Sequence, residues 1–438
     1  MTSSLETATI SPTDATSAAA LAGAARPDRN RAVDAYRAVA MLAVAVGHWV
    51  VVHTAIGDDA LPTGTNALEL TPGLSWLTWL FQVMPLFFVV GGFSSARSLD
   101  AHFRKGGTAH EWVGGRLRRM LAPTTVLAGT WVALVASASA VGWGGPAGAA
   151  LVGAAIPLWF LANYTIDTAV APYLIPRFRS APAKVGGLLV GAFFVVEVVR
   201  AFGVPLVPQI NWVLGWLLFQ MLGAAWSEGI VTSKLAARLA APSWVAAVSL
   251  VAFGPWPVTM IHVPGVGPSP THPPSTALMV FGLAYSLTAI AFAPAVDRFL
   301  ASTRGAEAWV AVVAGNGVAM TVYLWHMTTA VVATLVVWQL GLVPDTDPGT
   351  AAWWLAKVPF VLVAAAALVP MVWKLSPIER NALLSGSSAW RHGPVATAAT
   401  AAGVSTSIKL WSIGSAAPAV AGAALLVVIW RTAVRADG

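Results

Sequence analysis

The sequence predicts an all-α, polytopic transmembrane bundle with a ten-helix core, an eleventh C-terminal helix and a cytoplasmic N-terminus. Three observations carry this. The 438 residues are 57% hydrophobic and 10% charged, where ordinary soluble domains carry roughly 25% charged residues, and the mean hydropathy is +0.73. Apolar runs of about 20 residues, the length that crosses a hydrocarbon core, recur along the chain. Lys and Arg gather in alternate connecting segments, the asymmetry that orients membrane proteins.

Residues 1–30 are rich in Ser, Thr and Ala and have no apolar face, so a disordered cytoplasmic tail is expected. The spans follow at 33–55, 74–96, 119–141, 149–174, 185–202, 210–228, 243–261, 275–295, 316–340 and 352–373. Together 31–375 forms the transmembrane core. A Ser/Gly/Ala-rich stretch, 376–410, reads as a flexible cytoplasmic linker, and 411–438 as a further transmembrane helix and tail.

With the N-terminus inside, the internal segments hold the cationic residues from Arg97, Arg104 and Lys105 through Arg177, Arg179 and Lys184 to Lys409. The external loops hold no Lys or Arg, but carry Asp58, Asp59, Glu69, Asp345 and Asp347. This pattern accounts for the net charge of +7 without nucleic acid as a partner. A crossing at 411–430 puts Arg431 and Arg435 outside, against the rule.

Other chemistry is narrowed by what the chain lacks. There is no Cys, which removes disulfides, thiolate metal sites and Cys nucleophiles. Walker, dinucleotide, HExxH and GxSxG motifs are missing as well. His262 and His272 flank a Pro/Gly loop with no acidic companion, so no metal site is expected.

In the first span, Arg37 and His48 are eleven residues apart, which puts them on one helical stripe roughly 16 Å apart along the axis. Arg37 suits a snorkelling cation neutralised by Asp34 at i−3, or a functional group. His48 lies too deep to snorkel: it is a packing histidine or a general base. Pro85 and Gln82 are placed to open the second helix, and Gly91 and Gly92 offer either a close helix approach or room for a ligand.

Arg116, Arg118 and Arg119 end the most basic loop, which serves topology and anionic lipids or forms a phosphate-binding surface. Pro123 is expected to kink the helix just beyond it. Asn163 and Asp167 share a face of the fourth span, and an intramembrane carboxyl marks a functional position by default. His326 in the ninth span reaches a depth similar to that of His48, either to share its cavity or to pack.

Several segments in order resemble the acyltransferase-3 family of integral membrane acyltransferases. They are Asp34, Arg37 and His48 with Arg-x10-His spacing, LFFVVGGF at 86–93, RLRRMLAP at 116–123, LWFL at 158–161 and YLWH at 323–326. The chain departs from the family in having Ala162, Asn163, Tyr164 and Thr165 where an acidic pair follows the Trp landmark, leaving Asp167 as the nearest acid.

The resemblance implies transfer of an acyl group, commonly acetyl, from cytoplasmic acyl-CoA as co-substrate, with no bound cofactor. The acceptor is a hydroxyl of a glycan, lipid or small-molecule natural product, and the enzyme is a multi-pass protein of the cell membrane among its lipids. It further implies that Arg37 and His48 form the core of the active site. Arg116, Arg118 and Arg119 meet the donor phosphates, while Gly91, Gly92, Asp167 and His326 shape the substrate cavity. His48 then acts as general base or as the site of a transient acyl-imidazole. The other readings are a proton-coupled transporter or flippase, which lacks its inverted-repeat mark here, and a non-catalytic family member.

Overall fold

The computed structural model describes residues 23, 29–57, 61–343, 346–384, 392–411 and 415–431. Apart from 23, 29 and 30, the expected N-terminal tail lies outside the described residues, as do 385–391 of the expected linker.

Helix α1 (Arg31–Val51) starts where the Asn30 side chain accepts a hydrogen bond from the Val33 N–H, with Asp34 in the first turn. It ends at the β-branched run Val50–Val52, and the chain turns into a hairpin of β1 (Val52–Ile56) and β2 (Pro62–Asn66). The two strands are antiparallel, with His53 opposite Thr65. This departs from the expected helix over 33–55. Four residues at its end follow strand propensity instead, because Gly64 and flanking threonines supply the partner strand.

The second span breaks at Gln82, whose backbone leaves helical geometry while its amide donates to the Met260 carbonyl. Pro85 then sits in the first turn of α2 (Met84–Phe103), where a missing N–H costs nothing. Helix α3 (Ala109–Ala140) continues unbroken through Pro123. It is followed by α4 (Gly144–Ala155), α5 (Trp159–Ser180), α6 (Pro182–Ala201), α7 (Asn211–Ser227), α8 (Ser233–Phe253) and α9 (Thr276–Ala301). Short α10 (Ala306–Gly317) leads into α11 (Ala319–Gln339), and α12 (Ala351–Leu384) outruns its expected end at 373. The overrun places Glu379 to cap α11, its carboxylate accepting from the Met320 and Thr321 N–H groups.

Among the described residues, nine segments are long and apolar enough to cross a membrane. Helix α7, with 17 residues, falls just short yet is almost wholly enclosed. The chain is a multi-pass membrane protein, as its composition implies.

One end of the bundle gathers the start of α1, the α2–α3 loop and the ends of α5, α7 and α9. There Arg179 pairs with Asp100 and Glu228, and the Arg31 guanidinium donates to the Leu300 carbonyl. The opposite end carries the β-hairpin and the Pro-rich 254–275 loop, where Glu197 caps α9 through Thr276 as well as pairing with Arg200.

The expected linker contains a further helix, α13 (Pro394–Trp411), paired with α14 (Ala416–Ile429). Val404, Ile408 and Trp411 are fully buried, and Ser405 donates to the Ala162 carbonyl of α5. The small residues that suggested a linker are what let α13 approach its neighbours: a side chain at Gly422 would strike the backbone of Ser407 and Trp411. Two antiparallel arms return the chain to the end at which α13 began. Arg431 thus comes back toward the basic end, while Lys409 stands over Trp212 at the opposite end, not in the internal group expected for it.

Candidate active site

Two histidines from different helices meet inside the bundle. His326, in α11, is fully buried, and its Nε2 is 3.2 Å from Nδ1 of His48, which keeps partial exposure. The ring centroids are 5.1 Å apart. The Trp49 indole donates to the His326 carbonyl at 2.8 Å, fixing α1 against α11 beside the pair.

Their hydrogen bonds settle the tautomers. His326 Nδ1 lies 2.6 Å from the Tyr323 carbonyl, which only accepts, so Nδ1 carries the proton and Nε2 of the neutral ring is bare. His48 Nδ1 lies 2.8 Å from the Val44 carbonyl, so it too carries its proton, shared between Val44 and His326 Nε2. The remaining nitrogen, His48 Nε2, holds a lone pair free to take a proton. Sequence spacing put the histidines at one depth, and tertiary packing brings them into contact.

Along the same stripe of α1, Arg37 donates to Ser94 Oγ at 2.7 Å, with Asp34 at 3.8 Å. One turn further along α2, Ser98 Oγ accepts from Arg116 at 2.6 Å and from the Trp112 indole at 3.2 Å. The Arg116 guanidinium stacks 4.1 Å above the Trp112 ring, and its buried Nε has no partner among the described residues. The charges of Arg37 and Arg119 act on Arg116, and the Tyr164 hydroxyl hydrogen-bonds it. Beside this cluster an open cavity of about 230 Å³ is lined by Arg29, Asn30, Asp34, Ser94 and Arg97. Arginines gathered without an equal number of carboxylates make an anion site, and their fixed forks suit phosphate.

The sequence-predicted residues divide accordingly. His48 with His326, and Arg37 with Arg116 and Arg119, are brought together. Arg118 lies between Arg116 and Arg119 on α3. Gly92 is a packing residue: a side chain there would run into the Gln220 carbonyl, and Gly223 of α7 abuts the Val89 carbonyl in the same way. The small residues of α2 are therefore spent on α7 and leave no cavity at Gly92. A Cβ at Gly91 would meet the Tyr164 ring at 3.0 Å, so this glycine seats the tyrosine that faces Arg116. Asp167 is fully buried, neither of its oxygens has a partner among the described residues, and no hydrogen bond joins it to either histidine.

The comparison with known families bears on this arrangement. A family model described as an acyltransferase domain, that of acyltransferase-3, matches residues 30–373. The chain belongs to the acyltransferase-3 family. It is accordingly a membrane acyltransferase, and the matched region holds the histidine pair and the arginine cluster but ends before α13 and α14. No curated protein and no solved structure matches the chain.

Within this acyltransferase domain, sequence reasoning missed the roles of Ser94 and Ser98 as arginine anchors. Their i, i+4 spacing facing a basic run was the available signal. It also passed over Lys357, a lone cation inside the tenth span.

Proposed function

We propose that this acyltransferase moves an acyl group, of which acetyl is the representative, from coenzyme A to a hydroxyl of a glycan, lipid or natural product in the cell membrane or its surroundings. The observation that carries the reading is the free His48 Nε2, backed by His326 and set on the helix stripe that leads to the arginine cluster. With the arginine end cytoplasmic, the donor phosphates lie against Arg37, Arg116 and Arg119, and the open cavity of Arg29 and Arg97 receives the nucleotide part. The thioester reaches inward toward His48 along a stripe roughly 16 Å long.

In the transfer, His48 Nε2 accepts the proton of the acceptor hydroxyl as its oxygen bonds to the thioester carbonyl carbon. The positive charge that forms on His48 is held through Nδ1–H by the Val44 carbonyl and His326 Nε2. The C–S bond then breaks, and the imidazolium returns its proton to the departing thiolate, releasing coenzyme A and the ester.

The test uses cells with and without the protein. Their envelope glycans, lipids and secreted products are compared by mass spectrometry, alongside thiol release from acetyl-CoA in isolated membranes. Ester-linked acyl differences together with thiol release support the reading. Unchanged products and no thiol release in membranes containing the folded protein sink it.

A further inference from the structure

At the end of the bundle opposite the arginines, a cation is enclosed with no carboxylate paired to it among the described residues. Lys357 of α12 is 7% exposed. Its ammonium donates to the Val52 carbonyl and lies over the rings of Trp353 and Phe360, 5.0 and 4.5 Å from their centroids. Among the described residues it has no carboxylate at ion-pair distance. An ammonium has three N–H donors and no acceptor, so one carbonyl and two ring faces leave its hydrogen-bonding capacity unfilled and its charge uncompensated.

The neighbouring groups are donors as well. The Trp353 indole donates to His53 Nδ1 at 3.1 Å, and an indole nitrogen can only donate, so the neutral ring carries its proton on Nε2. Burial, reinforced by the Lys357 charge and only partly offset by the exposed Asp347 carboxylate, holds the His53 pKa below its ordinary value. Thr54 and Thr334 place their hydroxyls 3.5 Å apart beside it. His53, Thr54, Val337, Trp353, Lys357 and Phe360 line a cavity of about 10 Å³, room for one atom of about water size, which a halide fills with a small outward shift of the lining side chains. A water would satisfy the N–H groups but leave the charge.

We propose that this cavity binds a monatomic anion of the halide class, and that the anion steadies the turn by which α1 passes into β1. Val52, held by Lys357, is the C-cap of the helix that carries His48 four residues earlier. The anion thereby regulates the reacting histidine, a consequence that rests on the acyl-transfer reading, whereas the binding itself does not.

The full-length protein in halide-free detergent is titrated with sodium bromide against gluconate at constant ionic strength, following its thermal midpoint and tryptophan quenching. A saturable rise in midpoint with saturable quenching is expected. Both vanish in Lys357→Met, and the half-saturating bromide rises about tenfold in His53→Phe, which loses one N–H donor and keeps the cation. Should Lys357→Met not accumulate, the His53→Phe shift decides. Bromide curves identical to wild type in the variant, or no saturable component in the wild type, overturn the proposal. His48→Ala keeps the bromide response, so loss of transfer with the response intact condemns the transfer reading alone.

Discussion

Replacing His326 by Leu removes the acceptor that faces His48 Nδ1 at 3.2 Å while keeping an enclosed apolar side chain. In the resting enzyme this bond joins two neutral rings and contributes about 0.5–1.5 kcal/mol; once His48 holds a proton the donor is charged and the bond rises to about 1.5–3 kcal/mol. The difference, about 1–2 kcal/mol, stabilises only the charged stage of the reaction and therefore appears in kcat. At about 1.36 kcal/mol per tenfold, kcat falls about 5–30-fold while KM for acyl-CoA stays constant. The assay is release of coenzyme A thiol by the purified protein, which adds no thiol of its own because it contains no Cys. His326→Gln, whose side-chain oxygen can accept from Nδ1–H, recovers part of the loss; a structural role alone gives no such recovery. A fall in kcat below twofold, or one expressed wholly in KM, refutes the relay.

Other outcomes follow from the same geometry. Arg116→Lys gives up the stacked fork that spans Trp112 and Ser98, so KM for acyl-CoA rises about tenfold with kcat little changed, measured in the same thiol assay. Gly92→Ala forces α2 away from the Gln220 carbonyl and costs about 1–3 kcal/mol, seen as a lower thermal midpoint in detergent. His53 has a folded pKa below the unfolded value of about 6.5, so the unfolded state binds more protons and stability falls as pH drops below about 6.5; His53→Phe flattens that decline in thermal midpoint. Because the chain has no Cys, Lys105→Cys and Val204→Cys report orientation directly: an impermeant maleimide applied to intact cells is expected to label position 204 and leave 105 untouched.

The transmembrane character and most spans are legible in the sequence, since about 20 apolar residues in a row have few other uses. The Arg37–His48 stripe is legible too, because it depends only on helical period. What depends on other helices is not. His326 shares the depth of His48 by counting, but its contact through Nε2 is set by the packing of α11 on α1, for which Trp49 gives no pattern in advance. Gly92 suits a cavity or a crossing equally until α7 is placed against it. Helix α13 hid in a Ser/Ala/Gly-rich stretch because its stability comes from close approach to α5 and α14 rather than from an apolar run. The β-hairpin was masked by β-branched residues that continue a hydropathic span, and Lys357 by the apolar run around it, since its surroundings are set by the packing of α12 on β1.

The central claim is that His48 Nε2 is the proton acceptor of an acyl transfer from coenzyme A. Its most direct test is thiol release from acetyl-CoA by wild type and His48→Ala, matched for thermal midpoint and for acyl-CoA binding. The account predicts a fall of about 10²–10⁴-fold in kcat for the variant. Wild-type turnover in a folded, donor-binding His48→Ala protein would contradict it.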